Sequence, residues 1–316
     1  MGTGRVTHTR KEVFAMTRHL MNRCGVCLVI ALALFGLPAC SNDDGPVAPS
    51  KDTAPTIPDA STMTLDLAFF DPAPVDRASL AAGAPLAVES STGKDNFINA
   101  AVRVYYVELV FWAALQPPVS AFALAIHSVP QLQDDGSWLW TYIYVDGAIE
   151  YRIFLNGKNA GDRTEWRMEV STNNPAMPLE HFVWFTGEAM KDETSGYWQF
   201  YEPVIDPAMA VAGLAGSSAS EGTPGIQSIR IDWLNGPGLS HRLTVTNNTP
   251  GGADEGDRVV FSDSFEASCL EFTDVSVPAV YNVTWYRDGS GSIQVPDYKN
   301  GEKACWDTRQ NDTVCP

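Results

Sequence analysis

The stretch Trp138-Leu139-Trp140-Thr141-Tyr142-Ile143-Tyr144-Val145-Asp146-Gly147-Ala148-Ile149-Glu150-Tyr151-Arg152-Ile153-Phe154-Leu155 consists of aromatic and β-branched runs on either side of one Asp-Gly dipeptide. Those residue types fit a pleated, half-buried surface. Asp-Gly supplies the two-residue turn that a type I′ hairpin demands. An antiparallel hairpin is therefore predicted, with strands Trp138–Val145 and Ala148–Leu155. Working outward, the same style continues to the carboxyl end. Candidate strands are Thr164–Thr172, His181–Glu188, Tyr197–Pro203, Ile226–Leu234, His241–Asn247, Arg258–Ser264, Cys269–Val275, Tyr281–Arg287, Ser292–Val295 and Lys303–Asp307. The links are short and rich in Gly, Asn, Asp and Pro. Parallel pairing needs long crossovers, so about a dozen strands in an antiparallel up-and-down meander is the expectation.

Alternation assigns the faces. Thr164, Trp166, Met168 and Val170 oppose Glu165, Arg167 and Glu169. Ile229, Ile231 and Trp233 oppose Arg230 and Asp232, and Tyr281, Val283 and Trp285 oppose Asn282, Thr284 and Tyr286. One face is apolar and the other wet.

Amino-terminal to the strands the period changes. Asp95 to Gln116 contains neither glycine nor proline and predicts a helix. Phe97, Ile98, Val102, Val104, Tyr105, Val107, Leu109, Val110, Phe111, Trp112 and Leu115 cover nearly its whole circumference. They leave a narrow polar stripe of Asn96, Asn99, Arg103 and Tyr106. A helix that is apolar all round has to be buried. Pro117-Pro118 is expected to end it, with Val119 to Ser128 forming a second, shorter helix. A membrane span over 97–115 is the rival reading, but Arg103 and Glu108 would each cost roughly 2.5–3.5 kcal/mol near mid-bilayer. Between residues 63 and 92, Met63, Leu65, Leu67 and Phe69 alternate as in a strand, and Ala78 to Ala87 suits a short helix. The fold class read from these patterns is mainly β (α+β): a meander curled into a barrel or half-barrel around a buried apolar helix. Residues 63–130, with the helix pair, and 131–316, with the strands, form one domain.

The first 40 residues read differently. Arg18 and Arg23 precede a 12-residue apolar run, Val26 to Leu37, which is too short to span a bilayer and suits the core of an export signal. It is followed by Leu37-Pro38-Ala39-Cys40, which resembles the lipobox of bacterial lipoproteins. The resemblance implies a signal peptide over 1–39, cleavage before Cys40, acylation of that cysteine, and attachment of the chain to a lipid bilayer as its partner. Ser41 stands where an aspartate retains enterobacterial lipoproteins at the inner membrane, so the resemblance implies a cell-envelope address at the outer membrane. Residues 40–62, poor in large apolar groups, read as the lipidated cysteine and a flexible tether. The architecture of an open barrel holding helices looks like that of the periplasmic lipoprotein carriers. That likeness carries over none of their residues.

Charge and cysteine usage narrow the functions. Outside residues 1–40 the chain carries 37 acids against 16 bases, which offers nothing to offset phosphate repulsion and excludes nucleic acid as a partner. Cys24 and Cys27 fall in the signal, so Cys269, Cys305 and Cys315 remain for the exported part. An oxidising envelope favours a Cys305–Cys315 disulfide, with Cys269 a small buried strand residue. A Cys269–Cys305 bridge is the competing pairing.

Chemistry-bearing motifs are scarce. His127, His181 and His241 lie in separate segments without metal-ligand spacing, and neither a metal nor a cofactor is expected. His181 reads as a strand-edge residue, and the acidic turns Asp134-Asp135-Gly136, Asp254-Glu255-Gly256-Asp257 and Asp288-Gly289 read as hairpins ahead of calcium sites. The candidate ligand contacts are Arg103, for an anionic head group, and Trp138 and Trp140, as an aromatic platform, with filling of the barrel core the plain reading of the tryptophans. Pairing of Arg103 with Glu108 or a strand carboxylate is the structural alternative. A non-enzymatic envelope lipoprotein that binds a hydrophobic ligand or an envelope component is the reading these features favour. The alternatives are a carbohydrate-binding module using exposed aromatics, and a glycan hydrolase using two carboxylates.

Overall fold

In a computed structural model of the protein the described residues are 53–71, 73, 75, 93–125, 127–175, 177–203, 225–236, 239–252, 254–276 and 279–316. Fourteen strands form a single antiparallel sheet in which every strand pairs with its neighbours in sequence order, β1 to β14. The predicted hairpin is β2 (Trp138–Asp146) and β3 (Ile149–Ala160), with Gly147 at φ 59° in the turn. β4 to β13 then follow as Arg163–Thr172, Leu179–Met190, Ser195–Glu202, Ile226–Gly236, Leu239–Asn247, Arg258–Ser264, Ala267–Asp274, Ala279–Tyr286, Gly291–Gln294 and Ala304–Trp306. Two strands escaped the sequence reading, β1 (Gln131–Leu132) and β14 (Asp312–Thr313). Each has two residues, too few to display a period. Among the described residues β1 pairs only with β2 and β14 only with β13, so the sheet they form is open and the closed-barrel expectation is not met.

The alternation holds where the ladder is regular. Thr164, Trp166, Met168 and Val170 are all buried. In β7 it slips: Ser228 is buried, Ile229 only half so, and Ile231 and Trp233 are buried again. The cause is a register shift between Gln199 and Tyr201 of β6, since one extra residue moves the following side chains to the other face.

Four tryptophans on the buried face lie over a glycine of the preceding strand. Trp166 faces Gly157, Trp198 faces Gly187, Trp233 faces Gly196 and Trp306 faces Gly291. A Cβ on any of these glycines would overlap the indole that covers it. The missing side chain lets each large ring lie flat on the neighbouring backbone, a device that fills the core and pins register together.

One helix, α1 (Asp95–Ala125), replaces the expected pair and continues through Pro117-Pro118. A proline inside a helix costs about 3 kcal/mol. Beyond the prolines Val119, Ala121, Phe122 and Ala125 are buried, with the Phe122 ring 5.3 Å from that of Trp198 and 5.8 Å from that of Phe185. Burial of the Phe and Val side chains alone returns about 1.5–3 kcal/mol each, enough to hold the helical direction. Among the described residues no helix is long and apolar enough to cross a membrane.

The segment before α1 corrects two further expectations. Met63 to Phe69 is not a strand: 3-10 turns at Ala60–Met63 and Ala68–Phe70 bury Met63, Leu67 and Phe70. Part of the expected tether is packed against the rest of the chain. Pro55, Pro58 and Thr62 are buried, and the Thr62 hydroxyl accepts the Trp198 indole N–H at 3.2 Å. Proline and threonine lose little side-chain entropy on ordering, so a few buried contacts suffice to fix this stretch. The suggested helix from Ala78 to Ala87, the signal peptide and Cys40 lie outside the described residues.

Candidate functional site

Three buried polar side chains, Asn96, Asn99 and Arg103, mark the first turns of α1. The Asn96 backbone N–H donates to Asp312 Oδ1 at 2.9 Å, and Asn96 Nδ2 donates to the Cys305 carbonyl at 2.6 Å. Asn96 Oδ1 accepts from the Tyr298 hydroxyl at 2.9 Å and from Lys299 Nζ at 2.8 Å. One side chain and its own backbone thus join the helix to β13, to β14 and to the link between β12 and β13. Asp312 also places a carboxylate at the helix amino terminus, where exposed N–H groups favour negative charge.

About two turns later, Arg103 is only 7% exposed and reaches Asp297 Oδ2 at 2.9 Å. Its Nη1 donates to the Asn99 carbonyl at 2.9 Å and to Asn99 Oδ1 at 3.1 Å. The guanidinium also lies 5.7 Å from the Tyr298 ring centre. Arg103 therefore meets a carboxylate of the chain itself, in the link after β12, where the sequence offered an anionic ligand, Glu108 or a strand acid. Burial, then the carboxylates of Asp312 and Asp95, push the Tyr298 hydroxyl up to about 12. The Asn96, Asn99, Arg103 stripe was legible as polar, but its partners lie about two hundred residues away and no local signal points to them.

The disulfide joins Cys305 to Cys315 beside this constellation, and Cys269 is free. Cys269 is half-buried on the wet side of β10, between the buried Ser268 and Leu270, which corrects the expectation of a core cysteine. Its sulfur accepts from Asn282 Nδ2 at 3.4 Å.

The proposed aromatic platform is not on the surface. Trp140 is buried with its ring 5.7 Å from that of Trp166, and Trp138 is half-buried on the same side of β2. Among the described residues, the buried indole N–H groups of Trp138, Trp166 and Trp233 find no hydrogen-bond partner. Each such donor costs about 1–3 kcal/mol, a penalty the packing of the rings has to exceed. Tyr142, next on that side of β2, donates its hydroxyl to the Ala121 carbonyl of α1, and burial raises its pKa.

The carboxylates of several turns are taken up by neighbouring residues. Asp135, Asp192, Asp274 and Asp288 each accept both the backbone N–H and the hydroxyl of the Ser or Thr two residues on, at 2.6–3.1 Å. These are Asx-type turns that close hairpins. The Ser137 bonds hold the Asp135 carboxyl down at about 2, and equivalent bonds lower Asp192 and Asp288. Asp257 goes the other way, to about 6, because it is partly buried and faces Asp274 and Asp254. Among the described residues no three His, Cys, Asp or Glu side chains are grouped to hold a metal ion.

On the wet face, arginines pair with acids two positions away on the same strand. Arg167 Nε meets Glu169 at 2.7 Å, Arg230 Nη2 meets Asp232 at 2.7 Å and Arg152 Nε meets Glu150 at 2.5 Å. Period-two geometry puts such pairs on one face. His181 sits inside β5, not at an edge, at φ 45° in an irregularity of the β4–β5 ladder. Its Nδ1 is 3.0 Å from Glu169 Oε2 and its ring stacks on Phe154. Glu169 is thereby shared between Arg167 and His181.

No known protein family, no curated protein and no solved structure matches the chain.

Proposed function

We propose that the chain is a non-enzymatic envelope lipoprotein, held to the membrane through an acylated Cys40, whose sheet curls as a half-barrel about α1. Its outer surface engages another envelope component. The observation that carries this reading is the occupancy of the apolar face by the chain's own residues. Met63, Phe70, Phe97 and Phe122 are all within 1% of complete burial. The three phenylalanine rings meet Trp285, Trp306, Phe185 and Trp198 of the sheet. An interior filled in this way favours external contacts over an enclosed hydrophobic ligand. Curling is supported by the reach of α1. Asn96 bonds to β13 and Ala121 to β2. About 38 Å of helix thus connects strands that lie about 53 Å apart along a flat sheet.

Two experiments test the proposal. Replacing Cys40 with Ser should move the protein out of the membrane fraction, and retention there would reject lipid anchoring. Native mass spectrometry of protein extracted from its cells should show the polypeptide with its own acyl group and nothing further. A stoichiometric second lipid would restore the carrier reading.

A further inference from the structure

The sheet has two unequal edges. β14 is two residues long, whereas β2 has nine and β1 pairs only with its Trp138 and Leu139. Among the described residues, Trp140 to Asp146 therefore present an open edge. At about 3.4 Å per residue it is over 20 Å of backbone offering N–H and C=O groups to another strand. The usual guards are missing, since no proline and no charged residue occurs from Trp138 to Val145. Ile143 and Val145 are each 59% exposed on the wet side, with Thr141 exposed beside them. Val129 and Leu132, just before β2, are exposed as well.

We propose that this edge is a self-association surface, on which β2 of one copy pairs antiparallel with β2 of a second copy about a two-fold axis at Ile143. Only an extended strand satisfies a row of alternating backbone donors and acceptors. Charge selects which strand. The chain carries a formal −17, so two copies repel over most of their surface, and β2 is an uncharged strip where that repulsion is least. With the axis at Ile143, each Val145 lies opposite the second copy's Thr141 and Ile143 lies opposite its own counterpart. The two Asp146 residues are then about 20 Å apart, beyond the roughly 8 Å over which charges act at physiological salt. An axis shifted toward Asp146 would bring them together. The same patch serves both copies, so the contact closes at a dimer. Its small area suits a reversible association. None of this depends on the lipid anchor.

Light scattering on the full chain in detergent, over a wide concentration range, tests it. A reversible monomer–dimer equilibrium is expected. Ile143→Lys with Val145→Lys should raise its dissociation constant at least about tenfold by setting like charges opposite one another. Phe265→Lys, at an equally open position in the β9–β10 turn, should leave it unchanged. A chain that stays monomeric throughout, or a dimer indifferent to the two lysines, would overturn the proposal. Should the lysine variant misfold, amide exchange of the unaltered chain decides. Residues 141–145 should exchange more slowly as concentration rises, and concentration-independent exchange refutes the pairing.

Discussion

The two ends of α1 are held by different physics. At Asn96 and Arg103 the helix is fastened by directional bonds to β13, to β14 and to the link after β12, beside a disulfide. At Ala121 and Phe122 it is held by apolar burial and a single tyrosine hydroxyl from β2. Directional bonds fix where a helix begins to within one residue, because a shift breaks them all. Packing tolerates small displacements but supplies more free energy per residue. The first end adds position-fixing bonds to the burial of Phe97 against Trp306, and the second rests chiefly on adhesion.

That contrast is open to attack at both ends. The largest effect is expected from Phe122→Ala, which empties a wholly buried site between Phe185 and Trp198 and should cost about 3–5 kcal/mol in denaturant unfolding. A cost below about 1 kcal/mol would mean that this end adheres by something other than packing. Next comes Asn96→Ala, which removes the partner of the Tyr298 hydroxyl, of Lys299 Nζ and of the Cys305 carbonyl. About 2–4 kcal/mol should be lost, and amide exchange should accelerate first in residues near 95–105. Reducing the disulfide, or replacing Cys305 and Cys315 together with Ser, should cost about 2–3 kcal/mol. The loosening should concentrate at the β13–β14 end, and an equal loss at β2 would erase the distinction between the ends.

Smaller effects come from the two tyrosine ties. Tyr142→Phe and Tyr298→Phe should each cost about 0.5–1.5 kcal/mol at neutral pH. Alkali should separate the second from its parent. The folded hydroxyl of Tyr298 titrates near 12, above its unfolded value, so its contribution is complete below about pH 10 and fades as pH rises through 12. Unfolding midpoints of the parent and of Tyr298→Phe should accordingly converge over that window, and parallel curves would show that the hydroxyl is not a tie. Least of all, Ile143→Lys should alter the stability of the isolated chain by under about 0.5 kcal/mol, since its side chain stands mostly in solvent.

Reading the sequence recovered the strands well because their signals are local. Asp146-Gly147 marked a hairpin, and Trp166, Met168 and Val170 marked a buried face. Both signals arise from neighbours in the chain and survive any tertiary arrangement. Where a signal needed a partner, it was misread. Pro117-Pro118 looked like a stop because the burial of Phe122 against β5 and β6 is invisible locally. Pro55 and Thr62 looked like tether for the same reason. Trp140 left core filling and a surface platform both open, and its contact with Trp166 decides for the core. The candidate site was legible only as a polar stripe on a greasy helix, because Asp297, Tyr298 and Asp312 announce nothing about Asn96 or Arg103.

By itself, then, the order of residues determined that this chain makes an antiparallel meander with one apolar face, because period-two alternation and turn chemistry act over a few residues. It also set the Asp-x-Ser and Asp-x-Thr clasps of the hairpins, which close within three positions. Only the tertiary structure decided that indoles lie on glycines, that α1 runs unbroken from β13 to β2, and that, among the described residues, one edge of the sheet is a two-residue strand while the other is a long open one. Those features depend on register and on contacts across about two hundred residues. A single shifted residue in one ladder changes which side chains meet, so no window along the chain contains the answer.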